Sequence, residues 1–367
     1  MYELNTKMNR FLFLLLASCV LGTSGYRCTN GTQVINPPSD LSKPTFFPSS
    51  WNGEDPVPYI EHESPGCFLN VNVPSGYYAN VTMFMRLDSS GNYVYYPNRK
   101  IFMLQNDDHH PFIFTNPYFK VSVSAANHTG PGTSEFAFKI IWTKFPDVKK
   151  NVIDIYKGKP PVAVVPNEDL TTFRGDPSSM MSLIGFSLED PSMNHLLRQT
   201  ALFGGDSFNS DYIGTLDQVV KSKQILTTYG NMISVYTFGL NSQINYPLFM
   251  GQNFQDARVY NTYEGINIPS TGNHNVYMNG VFGNHLTVTD YNGPEIIKEF
   301  ITFPSTGTIS VYENSISNTT CIATLTSSNY QQQLPLEVKG NMKFYSLIGN
   351  GFYEMVLTRD VSRAGRL

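Results

Sequence analysis

The sequence predicts an all-β protein, mainly a sandwich of short strands followed by a second β-rich region with one or two short helices. Three observations point there. Aromatic residues are abundant, with 22 Tyr and 25 Phe in 367 residues, and such side chains favour pleated, half-buried surfaces. The 28 Gly and 23 Pro are scattered along the whole length, which suits many strands joined by tight turns. The run Cys67-Phe-Leu-Asn-Val-Asn-Val-Pro-Ser-Gly-Tyr-Tyr78 alternates apolar and polar residues into a turn, the period of a half-buried strand.

The N-terminus reads as a secretory leader over residues 1–25. Arg10 precedes an apolar run from Phe11 to Gly22 and then the small residues Thr23, Ser24 and Gly25, which is the order of a cleavable signal. That run is shorter than the ~20 residues a bilayer helix needs. Initiation at Met1 or Met8 gives the same secreted product, starting near Tyr26. An oxidising destination lets Cys28 and Cys67 pair, closing a long loop worth roughly 2–4 kcal/mol. Cys19 leaves with the leader, so Cys321 remains an unpaired thiol, either a small buried apolar residue or a bond to another chain.

Strands are expected near Cys67 to Val73, Tyr77 to Leu87, Tyr93 to Tyr96, Lys100 to Leu104, Pro111 to Thr115, Phe119 to Ala125 and Glu135 to Trp142. Punctuation such as Ser89-Ser-Gly-Asn92 separates them. Seven such strands make a sandwich over residues 26–146, with a polar linker at 147–151, a second region at 152–360 and a polar tail at 361–367. In the second region Asp190-Pro191 is an N-cap followed by proline at the first helical position, and Thr215-Leu-Asp-Gln218 has capping-box spacing. Ile-Ser-Val-Tyr occurs at both 233–236 and 309–312, with Phe119-Lys-Val-Ser-Val123 similar, hinting at a repeat.

Four Asn-x-Ser/Thr sequons, at Asn30, Asn80, Asn127 and Asn318, imply a glycosylated surface. No second hydrophobic span follows, so neither a transmembrane helix nor a lipid-anchor signal is expected at the C-terminus. Removing Lys7, Arg10 and Glu3 from 25 basic and 29 acidic groups leaves 23 and 28, a charge near −5. With no basic cluster longer than Lys149-Lys150, nucleic acid is excluded as a partner.

Catalytic chemistry is sparse. Ala201-Leu-Phe-Gly-Gly-Asp-Ser-Phe-Asn-Ser-Asp211 resembles the nucleophile block of GDSL-type esterases with Ser207 as nucleophile. That family's Asp-x-x-His is missing, since Thr271 precedes His274 and Phe282 precedes His285 at that spacing. A serine without a base is a poor nucleophile. Asp107-Asp-His-His110 has metal-ligating residue types, but neighbours on a strand point to opposite faces, so it reads as a turn. Glu61 and Glu63 have no second feature of a glycosidase pair. No catalytic residue, metal site or cofactor is expected.

Residues 26–146 resemble the nematode-expanded CUB-like domain family. The resemblance lies in Cys28-Thr-Asn-Gly-Thr32, Asn36-Pro-Pro-Ser-Asp-Leu-Ser-Lys-Pro44, Pro48-Ser-Ser-Trp51, Cys67, Asn70-Val-Asn-Val-Pro-Ser-Gly-Tyr-Tyr-Ala79 and Glu135-Phe-Ala-Phe-Lys-Ile-Ile-Trp142. It implies a jelly-roll sandwich, secretion to an extracellular space, a part in innate immune or pathogen response, and no enzymatic activity. Residues 152–360 resemble a divergent second half of two-part members. CUB domains often bind calcium through acidic loops, whereas Arg86-Leu-Asp-Ser-Ser-Gly-Asn-Tyr-Val-Tyr-Tyr96 has only Asp88, too few oxygens for an ion that takes six to eight. The expected function is a secreted binding or adhesion protein whose ligand is a glycan, microbial surface or host protein. Peripheral membrane association stays open. The alternative is a secreted hydrolase centred on Ser207.

Overall fold

Alternation along the chain builds the sheets. In β3 (Cys67–Asn72) the side chains of Cys67, Leu69 and Val71 are buried while Phe68 is exposed. In β4 (Tyr77–Arg86) Ala79, Val81, Met83 and Met85 point inward. This is the period of two that places one face on a core. The computed structural model describes residues 25–360 apart from 55, 62–63, 88–90, 107, 125–133 and 241–243. The expected leader, save Gly25, and the expected tail lie outside the described residues. The chain divides into two compact units, Met1–Thr143 and Lys144–Leu367.

The first unit is a two-sheet sandwich. One sheet runs in spatial order β1 (Thr32–Ile35), β3, β8 (Tyr118–Val123), β5 (Tyr93–Tyr95), β6 (Ile101–Met103). The other runs β2 (Thr45–Phe47), β9 (Glu135–Lys144), β4, β7 (Phe112–Thr115). β1 lies parallel to β3, and the other pairings resolved residue by residue in this unit are antiparallel. Between the sheets the rings of Phe114 and Phe119 stack at 4.0 Å, and Phe112, Phe136 and Phe138 are wholly buried. Each such ring contributes about 1.5–3 kcal/mol. A disulfide joins Cys28 to Cys67 across 5.3 Å between Cα atoms, tying the segment before β1 to the start of β3.

The second unit repeats that topology twice. Its first five-stranded sheet is β10 (Lys150–Asp154), β12 (Leu170–Arg174), β17 (Met232–Thr237), β14 (Thr200–Phe203), β15 (Tyr212–Thr215). Facing it are β11 (Val162–Val164), β18 (Phe249–Asn253), β13 (Met181–Ser187) and β16 (Leu226–Thr227). The third sandwich sets β19 (Thr262–Ile266), β21 (His285–Asp290), β26 (Met342–Ile348), β23 (Thr308–Glu313), β24 (Cys321–Leu325) against β20 (His274–Asn279), β27 (Phe352–Thr358), β22 (Glu295–Thr302), β25 (Leu336–Val338). Each strand of the first sandwich thus has a counterpart in the second and the third, down to the parallel opening pairs β10 with β12 and β19 with β21. The region expected at 152–360 therefore holds two nine-stranded sandwiches in one compact unit.

That unit begins with Lys144. Phe145 stacks on Phe208 at 4.6 Å and meets the edges of Phe203 and Phe238, and β10 starts inside the expected linker. The Ile-Ser-Val-Tyr pair is not the structural repeat. Ile233 to Tyr236 lie in β17, the eighth strand of its sandwich, and Ile309 to Tyr312 in β23, the fifth. Both strands have neighbours on two sides, and the similar demand for β-branched and aromatic residues produced the same letters. Phe119 to Val123, in β8, does occupy the place of β17.

Among the described residues four short helices interrupt the strands, where one or two were expected. The Asp190 cap starts a 3-10 helix at Pro191–Gln199, its side chain accepting from Ser192 N. The capping box at Thr215 and Gln218 starts an α-helix at Leu216–Ser222. Phe254–Ala257 and Tyr330–Gln333 are single turns.

The second and third sandwiches are joined through one sheet. β16 is only two residues long and covers Ser182 and Leu183, whereas its counterpart β7 covers four residues of β4. The uncovered remainder of β13 pairs instead with β19, Phe186 opposite Gly265 and Ser187 opposite Ile266. A Cβ on Gly265 would lie 2.5 Å from the carbonyl oxygen of Gly185, so no larger residue fits without moving backbone. Over this seam Ile184, Phe186 and Met250 pack with Tyr263, Leu286, Val288 and Phe344 in one buried cluster. Asn267, fully buried, donates to the carbonyls of Ser187 at 2.9 Å and Pro247 at 2.8 Å. Arg359 pairs with Glu189 at 3.2 Å and lies 3.8 Å over the Tyr291 ring.

Gly265→Ala is expected to cost about 1–3 kcal/mol by overpacking the seam. Gly230→Ala, which meets nothing within 4 Å, should stay within about 0.5 kcal/mol. Urea denaturation of both variants checks the difference.

Candidate functional site

A concave groove of about 880 Å³ opens within the second unit, between the second and third sandwiches. One wall is the C-terminal end of the helix Leu216–Ser222. Lys223 stops that helix in the left-handed conformation, at φ 49°, which turns the chain along the groove. Its carbonyl accepts from Tyr263 N at 2.8 Å, fastening this wall to β19.

The facing wall is the outer side of β20 and β27. Val276 and Met278 are buried in the core, so Tyr277 and Asn279 between them face outward. Across the ladder Tyr277 pairs with Glu354 and Asn279 with Phe352. Phe282, on the turn after β20, lines the groove together with Tyr277 and Phe352. These rings are 70%, 57% and 62% exposed respectively, too open to be core residues.

Each cation of the groove is paired with a carboxylate. Lys221 is paired with Asp217 at 2.9 Å, one helical turn away, and Lys223 with Glu264 at 2.8 Å. Glu354 accepts from the Asn275 amide at 2.9 Å. Burial pushes the Asp217 carboxyl above its ordinary value, partly offset by Lys221. On the floor His285 is held between two threonines, with Nδ1 2.8 Å from Thr262 Oγ1 and Nε2 3.0 Å from Thr287 Oγ1. Burial first, and then Lys223, pushes this imidazole down to about 4, so it is neutral at ordinary pH and donates or accepts without charge. A smaller hollow of about 360 Å³ adjoins, sharing Lys221, Lys223 and Gln224 with the groove.

Of the residues weighed in the sequence, only His285 and Phe282, rejected there as an Asp-x-x-His pair, line this groove. Ser207 Oγ lies 3.2 Å from Ser210 Oγ, and among the described residues no imidazole is its hydrogen-bond partner; Asp206 beside it is paired with Lys150 at 3.0 Å. The segment is a turn closed by Gly204 N to Asp211 O at 2.8 Å. In the 107–110 run His109 Nδ1 meets Met83 O at 3.2 Å and its ring lies over Phe84, while His110 meets Asp108 at 3.1 Å. The two rings serve different partners. Asp107, Asp88, Glu63 and Asn127 lie outside the described residues. Among those described no group of three His, Cys, Asp or Glu gathers to hold a metal. Asn30 and Asn318 are exposed and Asn80 half-buried on β4. Cys321 is half-buried on β24, the last strand of its sheet, with Sγ 3.5 Å from Ala323 O. The groove residues belong to no motif. Only the alternation of Tyr277 and Asn279 with buried Val276 and Met278 signalled them.

With this geometry in place, comparison with known proteins bears on the first unit. Residues 23–146 match the CUB-like domain family. The matched stretch holds the whole first sandwich, and an all-β CUB-like domain pinned by a disulfide fits an extracellular protein. No helix among the described residues is long and apolar enough to cross a membrane. Solved structures similar to the chain include the following two. The CUB1-EGF-CUB2 domain of human MASP-1/3 is 10% identical, covers 52% of this chain and 94% of its own, and has a TM-score of 0.20. The CUB1-EGF-CUB2 domains of rat MASP-1 are 10% identical, cover 60% and 100%, and have a TM-score of 0.23. Scores so low carry no inference about side chains or ligands. No curated protein matches the chain.

The floor histidine sets a pH dependence. Its folded-state pKa of about 4 lies below the ordinary 6.5, so the unfolded chain binds the proton more readily. Its contribution is fully present above pH 6.5 and is lost as pH falls towards 4, amounting to about 3 kcal/mol at most. Chemical denaturation of the wild type between pH 7 and pH 4 should show this decline, and His285→Asn should flatten it.

Proposed function

We propose that the chain is a secreted, glycosylated, non-enzymatic binding protein whose ligand occupies the groove between its second and third sandwiches. The observation that carries this reading is the convergence of three largely exposed aromatic rings on a concave, walled surface. Exposed apolar groups gathered in one place mark interaction sites, and pockets that bind ligands combine such a lining with a few polar groups that fix orientation. The amides of Asn261, Asn279 and Gln224 and the Thr262 hydroxyl supply those groups.

The CUB-like match of residues 23–146 supports the binding role. A part in innate immune or pathogen response follows from the family resemblance of residues 26–146 alone. Secretion rests on the leader-like sequence of residues 1–25, and glycosylation on Asn30 and Asn318 being open to solvent, with Asn80 and Asn127 as further sequons. The hydrolase reading of Ser207 is the weaker one, because among the described residues no imidazole is hydrogen-bonded to that serine and Asp206 is already engaged by Lys150.

Non-reducing mass spectrometry of protein collected from the medium should show cleavage near Tyr26, the Cys28 to Cys67 bond and glycan on Asn30 and Asn318. A fluorophosphonate probe should leave the same material unlabelled. Stoichiometric labelling that disappears in Ser207→Ala would overturn the non-enzymatic reading.

A further inference from the structure

The groove has a chemistry of its own, and we infer that it takes a neutral oligosaccharide; this rests on the binding reading above and specifies its ligand. A pyranose presents an apolar C–H face ringed by hydroxyl groups. It therefore needs an aromatic face to stack on and nearby uncharged hydrogen-bonding groups at the rim. Tyr277, Phe282 and Phe352 provide the faces. Gln224, Asn261 and Asn279 provide amides for sugar hydroxyls. The Asn261 and Asn279 oxygens each already accept one backbone bond, from Asn284 N at 3.2 Å and Val281 N at 2.9 Å, and keep a second lone pair beside their amide N–H groups. The Thr262 hydroxyl, engaged with His285, keeps one further bond to offer.

The pairing of the groove's cations selects against acidic ligands. Lys221 and Lys223 each already face a carboxylate, at 2.9 Å and 2.8 Å, and Glu354 adds a further negative group to the wall. His285 contributes no charge, enclosed by Thr262 and Thr287. A phosphate or an acidic sugar would thus meet no surplus cation, and its desolvation would go uncompensated. A neutral ligand meets no such cost.

Shape favours a chain of sugars over a folded protein partner. Stable protein interfaces bury about 800 Å² on each side over a broad patch, whereas this site is concave and continues past Lys221, Lys223 and Gln224 into the smaller hollow. There Asn194, Ser187, His274 and Asn275 supply further polar groups. Three rings lining one groove that leads into a second polar hollow suit successive residues of one oligosaccharide.

The test is an array of immobilised neutral, sialylated and sulfated oligosaccharides together with an array of extended peptides, followed by calorimetry on the glycosylated, secreted full chain. A neutral tetrasaccharide should bind at least about tenfold more tightly than its monosaccharide. Tyr277→Ala and Phe352→Ala should each weaken it about tenfold or more. Phe68→Ala, an exposed ring of the first unit, should leave it unchanged. Melting temperatures near wild type would show that the groove variants fold. Binding to peptides alone, or to sialylated or sulfated sugars alone, with the same sensitivity to Tyr277 and Phe352, would overturn the neutral-sugar inference and leave the groove as the binding site. Equal affinity for monosaccharide and tetrasaccharide would overturn the extended ligand. Sugar binding indifferent to both substitutions, or silence on both arrays, would overturn the groove as the binding site as well.

Discussion

The close approach of backbone at Gly265 and Gly185 is the constraint on which the second unit depends. Two sandwiches of the same topology could have been separate beads. They are one body because β16 stops after two residues and lets β19 take the rest of the β13 edge. An unpaired sheet edge is a liability that proteins cover, and here one sandwich covers the other's. Parallel pairing at this seam brings the two backbones so near that glycine is required on β19.

The groove is a consequence of that seam. Its walls come from different sandwiches, so their separation is set by the shared sheet, the buried cluster around Phe186, Tyr263 and Phe344, and the bond from Tyr263 N to Lys223 O. The exposed rings sit on paired strands or a short turn, which holds them before any ligand arrives. Preorganisation of this kind limits the ordering cost of binding. Polar bonds across the seam add to it: the Asn267 amide nitrogen donates to two carbonyls of the second sandwich, and Arg359 reaches back to Glu189.

Much of the first sandwich was legible in the sequence. The seven strands read from the sequence correspond to β3 through β9. β3, β4, β8 and most of β9 show a buried face alternating with an open one, while β6, without a buried residue, and β7, buried throughout, were legible from the turn residues that bound them. β1 and β2 escaped notice for physical reasons. Thr32–Ile35 is an edge strand without an inward face of its own, and Thr45–Phe47 is a three-residue strand between Pro44 and Pro48. The caps at Asp190 and Thr215 were readable because capping is local chemistry. The threefold repeat was not, since it is conserved in strand order while its letters differ, and the one repeated tetrapeptide sits at unequal places. The groove was illegible for a related reason. It is assembled from residues near 222, 261, 280 and 353, which only the seam brings together.

Native-state hydrogen exchange tests that central claim most directly. If the seam makes the second unit one cooperative body, the amides of residues 263–268 should exchange only with global unfolding, as slowly as the buried strands of both sandwiches. Exchange of this segment through a lower-energy opening, with either sandwich still protected, would contradict it.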